Sequence, residues 1–103
     1  MSKPHRVVGY EANIPVLFFK EGETFISYSP ALDLSTCGAT FEAAKRHFQE
    51  ALDIFFQESF KHGTLDDALE SYGWKRSHKD HSQWQPPVLV GQDSISVSVP
   101  SAN

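Results

Sequence analysis

The stretch between Thr40 and Gly63 constrains the fold most, because it has the pattern of one long amphipathic helix. At about 100° per residue, its apolar side chains fall within a stripe about 100° wide: Phe41, Ala44, Phe48, Ala51, Leu52 and Phe55. Thr40 is a good N-cap, and Gly63 stands where a left-handed residue ends a helix. The pattern predicts a helix over 41–62 with one face covering a sheet.

Before this helix, the chain has the pattern of three short strands. The first is predicted from about Val16 to Lys20, at the end of an alternating run that begins at Val8. A turn at 21–23 leads to a second strand over 24–29, and a third follows over 32–37. These elements predict a three-stranded antiparallel meander.

Two further elements are predicted after the long helix. Thr64 to Gly73 has the pattern of a short helix with an acidic first turn. Ser94 to Val99 alternates strictly between serine and apolar residues, which is typical of a strand with one buried face. The predicted fold class is therefore α+β: meander, long helix, short helix, and a final strand that joins the sheet beside and parallel to the first strand.

The length of 103 residues favours a single domain over 1–103. Its predicted core covers about 14–74 plus the strand 94–99, and 75–93 is predicted to be a polar surface loop. Cys37 is the only cysteine, and we find neither an apolar leader nor an apolar run of about 20 residues. We therefore expect a cytoplasmic protein without a membrane span.

Charge is unevenly distributed along the chain. The net charge is −4, but residues 11–74 contain eleven acids and four bases. An acidic body repels a phosphate backbone, so direct nucleic-acid binding is disfavoured and a basic protein partner is favoured. Whether the loop from Lys75 to His81 touches nucleic acid stays open.

Residues with potential chemistry do not form a recognisable catalytic or metal motif. His78 and His81 are the only close histidine pair and stand in a polar loop, whereas a lone cysteine needs a nearby base to act as a nucleophile. Asp33, Glu50 and Asp53 are the carboxylates that a nuclease site would use, and we interpret them as solubilising charge. We expect no enzymatic activity, catalytic residue, cofactor or metal.

One segment is similar to a known signature: YSPALDLSTCGATFEAA, residues 28–44. It resembles the HicB-like antitoxins of type II toxin–antitoxin systems, and the resemblance extends from about Ile14 to Trp74. Ala39 and Ala43 depart from the acidic residues that are usual in the family. The resemblance implies a degenerate RNase H-like fold that binds and blocks a small basic mRNA interferase of the HicA type. Family members usually repress their operon through an additional DNA-binding domain, which we do not expect here after Trp74.

Apolar residues that can stay exposed and acidic residues on the helices are the candidates for the partner interface. Ile54 and Phe60 lie on opposite flanks of the apolar stripe, and Phe60 could instead pack on the short helix. Trp74 and Trp84 flank the polar loop as anchors for a self-contact or for a partner. The candidate interface residues are Ile54, Glu58, Phe60, Asp66, Asp67, Glu70 and Trp74. An alternative function is a homo-oligomeric binding or regulatory module of the same fold without a toxin, and self-association is expected in either case.

Overall fold

The computed structural model describes residues 9–102. Its elements in chain order are β1 (Leu17–Glu21), β2 (Thr24–Ser29), β3 (Leu34–Gly38), α1 (Phe41–Lys61), α2 (Leu65–Ser71), β4 (Lys75–Arg76) and β5 (Trp84–Gln85). The α+β class and the meander followed by a long and a short helix are confirmed. The part of the first alternating run that contains Val8 lies outside the described residues.

The first three strands form one antiparallel sheet in the order β1-β2-β3. Phe18 pairs with Ser27, and Ser27 pairs with Thr36, so these three residues lie side by side on one face of the sheet. Gly22 takes a positive φ of 62° in the turn between β1 and β2, a conformation that costs glycine little. Asp33 has a φ of 48° at the entry to β3, which explains why this strand begins later than the predicted 32–37.

Helix α1 begins and ends at the residues that the sequence indicates. The Thr40 hydroxyl accepts a hydrogen bond from the Ala43 backbone N–H at 3.0 Å, which satisfies one of the free donors of the first turn. At the other end Gly63 has a φ of 71°, and the chain leaves the helix there. The predicted range 41–62 is therefore confirmed to within one residue.

Helix α1 packs on strands β2 and β3, and its backbone closely approaches the backbone of the sheet. The Ser27 hydroxyl donates to the Ala44 carbonyl at 2.9 Å and also bonds the Thr36 hydroxyl at 2.7 Å. A Cβ on Gly38 would lie 2.5 Å from the Ala44 backbone nitrogen, so only glycine permits this approach. Ala44 and Phe48 are the fully covered residues of the helix face.

A second set of buried residues lies between the β2–β3 loop, α2 and the following segment. It consists of Ala31, Leu32, Leu69, Trp74 and Trp84. The Trp74 indole N–H donates to the Ala31 carbonyl at 2.8 Å and joins residues 43 positions apart. The main apolar core therefore lies at one end of the helix layer, and the serine-lined contact under Ala44 lies at the other.

The predicted final strand is wrong. Residues 94–99 form no strand in the structure, and the sheet has no fourth member among the described residues. Ile95, Val97 and Val99 are 88%, 79% and 77% exposed. The alternation of apolar and polar residues specifies only which face a strand would bury. Pairing also needs a free edge of the sheet that the segment can reach. Pro86 and Pro87 lack backbone N–H donors and hold an extended φ, so the chain leaves β5 without returning to the sheet.

The predicted polar loop over 75–93 is more ordered than expected. Lys75 pairs with Gln85 and Arg76 pairs with Trp84 in a small antiparallel ribbon. The Ser77 N–H donates to the Gln83 carbonyl at 2.8 Å and extends this pairing. Among residues 9–102, no helix has the length and apolar character needed to cross a membrane.

Candidate protein-binding surface

The short helix α2 presents its acidic residues to solvent and its leucines to the core. Leu69 is buried and Leu65 is half-buried, whereas Asp66, Asp67 and Glu70 are exposed. This separation follows from helical spacing, since residues 65 and 69 share one face and 66, 67 and 70 lie on the other. Three carboxylates thus lie within two turns on one exposed surface.

The ribbon β4–β5 packs beside this acidic face and forms a shallow depression of about 490 Å³ with it. We call this the α2 depression. It is lined by Asp66, Asp67, Glu70, Trp74, Lys75, Arg76 and Trp84. Residues from a helix and from the segment that follows it therefore converge at one place.

Arg76 and Asp66 hold the depression together. The Arg76 guanidinium lies 4.3 Å from the centroid of the Trp84 ring and donates to Asp66 at 3.3 Å. The other Asp66 oxygen accepts the Trp84 indole N–H at 2.9 Å. Arg76 also donates to the His81 carbonyl at 2.8 Å, which fixes the turn between the two strands. Both oxygens of Asp66 are thus occupied by contacts within the chain.

Asp67 and Glu70 differ from Asp66 in this respect. Within the described part of the chain, neither carboxylate forms a salt bridge or a side-chain hydrogen bond. Lys75 and Arg76 stand at the same depression, so the surface has three acids and two bases rather than a purely acidic character. The two uncommitted carboxylates are the groups that an external cation can engage.

The structure places Trp74 in the core rather than at the surface. It is 2% exposed, and its ring packs edge-on against Phe56 with centroids 6.1 Å apart. Its expected role as an interface residue is therefore corrected to a self-contact that supports α2 from below. Trp84 is also buried and also contacts its own chain. Its indole N–H donates to Asp66, and its backbone N–H donates to the Tyr10 hydroxyl at 2.8 Å.

The candidate residues on α1 do not form one patch. Ile54 is 62% exposed and Phe60 is 58% exposed, but six residues of helix place them about 120° apart around the axis. Glu58 lies one turn beyond Ile54 and bonds His62 at 3.3 Å. Phe60 keeps more than half of its surface in solvent, so any packing on the short helix leaves most of its ring exposed.

Other residues considered for chemistry lie apart from one another. In the described ranges, no group of three or more histidines, cysteines or carboxylates could hold a metal ion. The His47 ring donates to the backbone carbonyl of Cys37 at 2.7 Å, and the Cys37 side chain is exposed. Asp33 accepts a hydrogen bond from the Tyr28 hydroxyl at 3.1 Å, which raises the pKa of Tyr28.

Sequence reasoning missed Lys75 and Arg76 as parts of the site. Both lie in the predicted polar loop, and nothing local in the sequence shows that this loop folds against α2. The available signal was a tryptophan at each end of the loop, since large amphipathic rings seldom stay in solvent at both ends of a segment.

Comparison of the chain with protein-family models, with curated proteins and with solved structures gave no match. The geometry defines a small α+β protein with a preformed surface of mixed charge. The resemblance to HicB-like antitoxins is carried by the sequence segment alone.

Proposed function

We propose that this protein is an antitoxin of the HicB-like type, which binds and neutralises a small basic mRNA interferase of the HicA type in the cytoplasm. The observation that carries the proposal is the pair of uncommitted carboxylates, Asp67 and Glu70, on a surface that Arg76 and Asp66 hold in place. The sequence signature over residues 28–44 supplies the kind of partner.

A toxin that reads RNA needs basic side chains to hold the phosphates. Antitoxin carboxylates that lie against those basic side chains compete with the RNA phosphates for the same positive charges. Because Asp66 is already engaged by Arg76 and Trp84, the surface is ordered before the partner arrives. Preorganised groups lose less conformational entropy on binding, which favours affinity.

Electrostatic attraction sets the rate and orientation of encounter, whereas affinity needs apolar contacts. Phe60 and Ile54 are the most exposed large apolar residues of α1, ahead of Phe41 at its first position. They lie on different sides of the helix. A partner surface of ordinary size therefore covers one of them with its neighbouring residues, and not both. We assign the role of anchor to Phe60, because it lies one turn beyond Phe56, which contacts the Trp74 beneath α2.

The finer fold assignment belongs to the same proposal. A meander followed by a long helix is the first part of the β-β-β-α-β order of the degenerate RNase H-like fold. The helix covers the Ser27 face of the sheet. A fourth strand beside β1 would complete it.

The test is to express the tagged protein in its native cells and to identify any stoichiometric small companion by mass spectrometry. We expect a basic protein whose expression alone halts growth and whose effect is reversed by co-expression of this chain. Recovery of the chain without such a companion, from cells that express the neighbouring reading frame, would contradict the proposal.

The second candidate is a homo-oligomeric binding or regulatory module without a toxin. The exposed apolar side chains between 88 and 99 favour self-association. The two candidates are distinguished by growth rescue, since a module without a toxin reverses no toxicity.

A further inference from the structure

The segment over 86–102 is extended and its apolar side chains lie in solvent. Five of them are at least three-quarters exposed: Val88, Val90, Ile95, Val97 and Val99. Between 94 and 99 every second residue is apolar and the others are serine, so all three apolar side chains fall on one face. This stretch has the composition of a half-buried strand but no strand to pair with.

The segment also extends away from the body that precedes it. The Cα radius of gyration is 17.9 Å, whereas a compact chain of this length has a value of about 13 Å. Pro86 and Pro87 follow β5 directly and favour an extended direction of exit. The segment is therefore presented outward, where a second molecule can meet it.

The sheet has a matching free edge at β1. This strand is the outer member of the sheet, and no backbone group of Leu17–Glu21 bonds to backbone outside the sheet in the described part of the chain. The first three residues, Leu17 to Phe19, carry no charge. Edge strands are usually protected by a charge or a proline, and β1 carries charges only at its turn end, at Lys20 and Glu21.

A groove runs beside the same edge. Helix α1 packs mainly on β3 and β2 and touches β1 where the Phe41 ring lies 4.4 Å from the Phe18 ring, and the space left beside this contact has a volume of about 250 Å³. The apolar residues that line it are Ile14, Val16, Phe18, Phe48 and Leu52, with Ala12. A strand added beside β1 would direct its helix-facing side chains into this groove.

The opposite edge is less accessible. At β3 the Cys37 carbonyl is occupied by the His47 ring at 2.7 Å, and the Gly38 backbone lies against Ala44. The β1 edge is thus the acceptor that matches an uncharged, alternating strand.

We propose that residues 94–99 of one molecule add as a strand to the β1 edge of a second copy of this chain, and that the exchange is reciprocal, giving a closed dimer. Ile95, Val97 and Val99 of each copy enter the groove of the other, and the serines face the open side. A second copy is the occupant because every copy carries both the donor strand and the acceptor edge. Two copies related by a two-fold axis can therefore each donate a strand to the other. The donor strand brings no charge to the contact, and the two charges of β1, Lys20 and Glu21, lie at its exposed end beside the turn. Lys45 is the one charged residue that lines the groove. The inference does not rest on toxin binding, since the purified chain alone forms the dimer.

The experiment is sedimentation equilibrium of the purified full chain, combined with hydrogen exchange at several protein concentrations. The wild type is expected to be a dimer, with amides 95–99 and 17–21 protected together as concentration rises. The triple variant Ile95→Thr, Val97→Thr, Val99→Thr keeps β-branched residues at each site and removes apolar surface, so the dimer dissociation constant rises at least tenfold. Val97→Pro, which prevents a ladder hydrogen bond, has the same effect.

The matched control is Ser96→Thr with Ser98→Thr, which alters the other face of the same strand and leaves the dimer intact. Fluorescence of the buried Trp74 and Trp84 confirms that each variant is folded, since the changed side chains are exposed in the single molecule. A monomeric wild type with unprotected amides 95–99 overturns the proposal. So does a monomer in which these amides are protected at every concentration, because the strand then pairs within its own chain. A triple variant that stays dimeric, or a wild type that forms open-ended assemblies, contradicts it as well.

Discussion

Trp84 donates its indole N–H to the carboxylate of Asp66 at 2.9 Å and so joins the segment after the second helix to the helix itself. The same carboxylate accepts from Arg76, whose guanidinium lies over the Trp84 ring. A stretch with the composition of a loose polar loop is thereby fixed against α2. The α2 depression depends on this contact for its shape.

Trp84→Phe removes the indole donor and keeps an aromatic ring beneath Arg76. We expect the free energy of unfolding to fall by about 1 kcal/mol, because the hydrogen bond is lost at a carboxylate that is still reached by water. Urea denaturation followed by Trp74 fluorescence measures it. Asp67→Asn, at a carboxylate without a partner in the described chain, is the control and should leave the urea midpoint unchanged.

Trp74→Ala empties the largest fully buried site of the core and leaves the Ala31 carbonyl without its donor. The expected loss is about 3–5 kcal/mol of unfolding free energy. Differential scanning calorimetry should show a much lower Tm or no transition. Phe60→Ala, a change of an exposed aromatic residue on the same layer, should cost less than about 1 kcal/mol. Equal losses at both positions would mean that Trp74 is not in the core.

Gly38→Ala tests the close approach of α1 to the sheet. The added Cβ would lie 2.5 Å from the Ala44 nitrogen and 2.8 Å from the Ala43 carbonyl carbon, and backbone atoms cannot yield without moving the helix. We expect a loss of about 1–3 kcal/mol, measured by thermal unfolding. Gly91→Ala is the matched control, because nothing lies within 4 Å of the position where its Cβ would be. If Gly38→Ala were as stable as the control, the packing of α1 on β3 would be wrong.

Asp80 should titrate below the usual range of an aspartate. The Ser82 hydroxyl and backbone N–H donate to one of its oxygens at 2.6 and 2.9 Å, and these bonds to the charged form lower the pKa of Asp80. Because the folded pKa lies below the unfolded value, the stabilising contribution is full above the unfolded pKa and is lost as pH falls through the folded pKa.

NMR titration of the Asp80 carboxyl carbon measures this shift directly. Ser82→Ala removes the hydroxyl donor and should move the midpoint back toward the ordinary value, whereas Ser98→Ala should not move it. An Asp80 midpoint at or above the ordinary aspartate value in the wild type would show that the turn is not formed in solution.

Local patterns predicted the elements whose partners are near in the sequence. Thr40 and Gly63 set the ends of α1 through their own backbone geometry, and Gly22 closes a hairpin whose strands are adjacent. These features are decided within a few residues, so the sequence alone was sufficient for them.

Contacts between distant residues could not be predicted in this way. The bond between Trp74 and Ala31 spans 43 positions, and that between Trp84 and Tyr10 spans 74. The alternation at 94–99 has the composition of a strand, but it does not specify a pairing partner. Whether a sheet edge is free and within reach depends on the whole fold. The candidate site was predicted in part: Asp66, Asp67 and Glu70 share a surface, whereas Trp74 lies beneath it and Ile54 lies apart.

The most direct test of the account is the association rate of this protein with the small basic toxin proposed as its partner, measured at low and high salt for Asp67→Lys with Glu70→Lys. Asp66 is left in place because it holds Arg76 and Trp84, so the fold is preserved. Glu23→Lys with Glu50→Lys, at exposed positions of the first hairpin turn and of α1, is the control of equal charge change. The account predicts association about tenfold slower at low salt for the α2 variant, a smaller difference at high salt, and a clearly weaker effect for the control. Equal slowing of the two variants, or none, would contradict the assignment of the α2 depression as the surface that meets the partner.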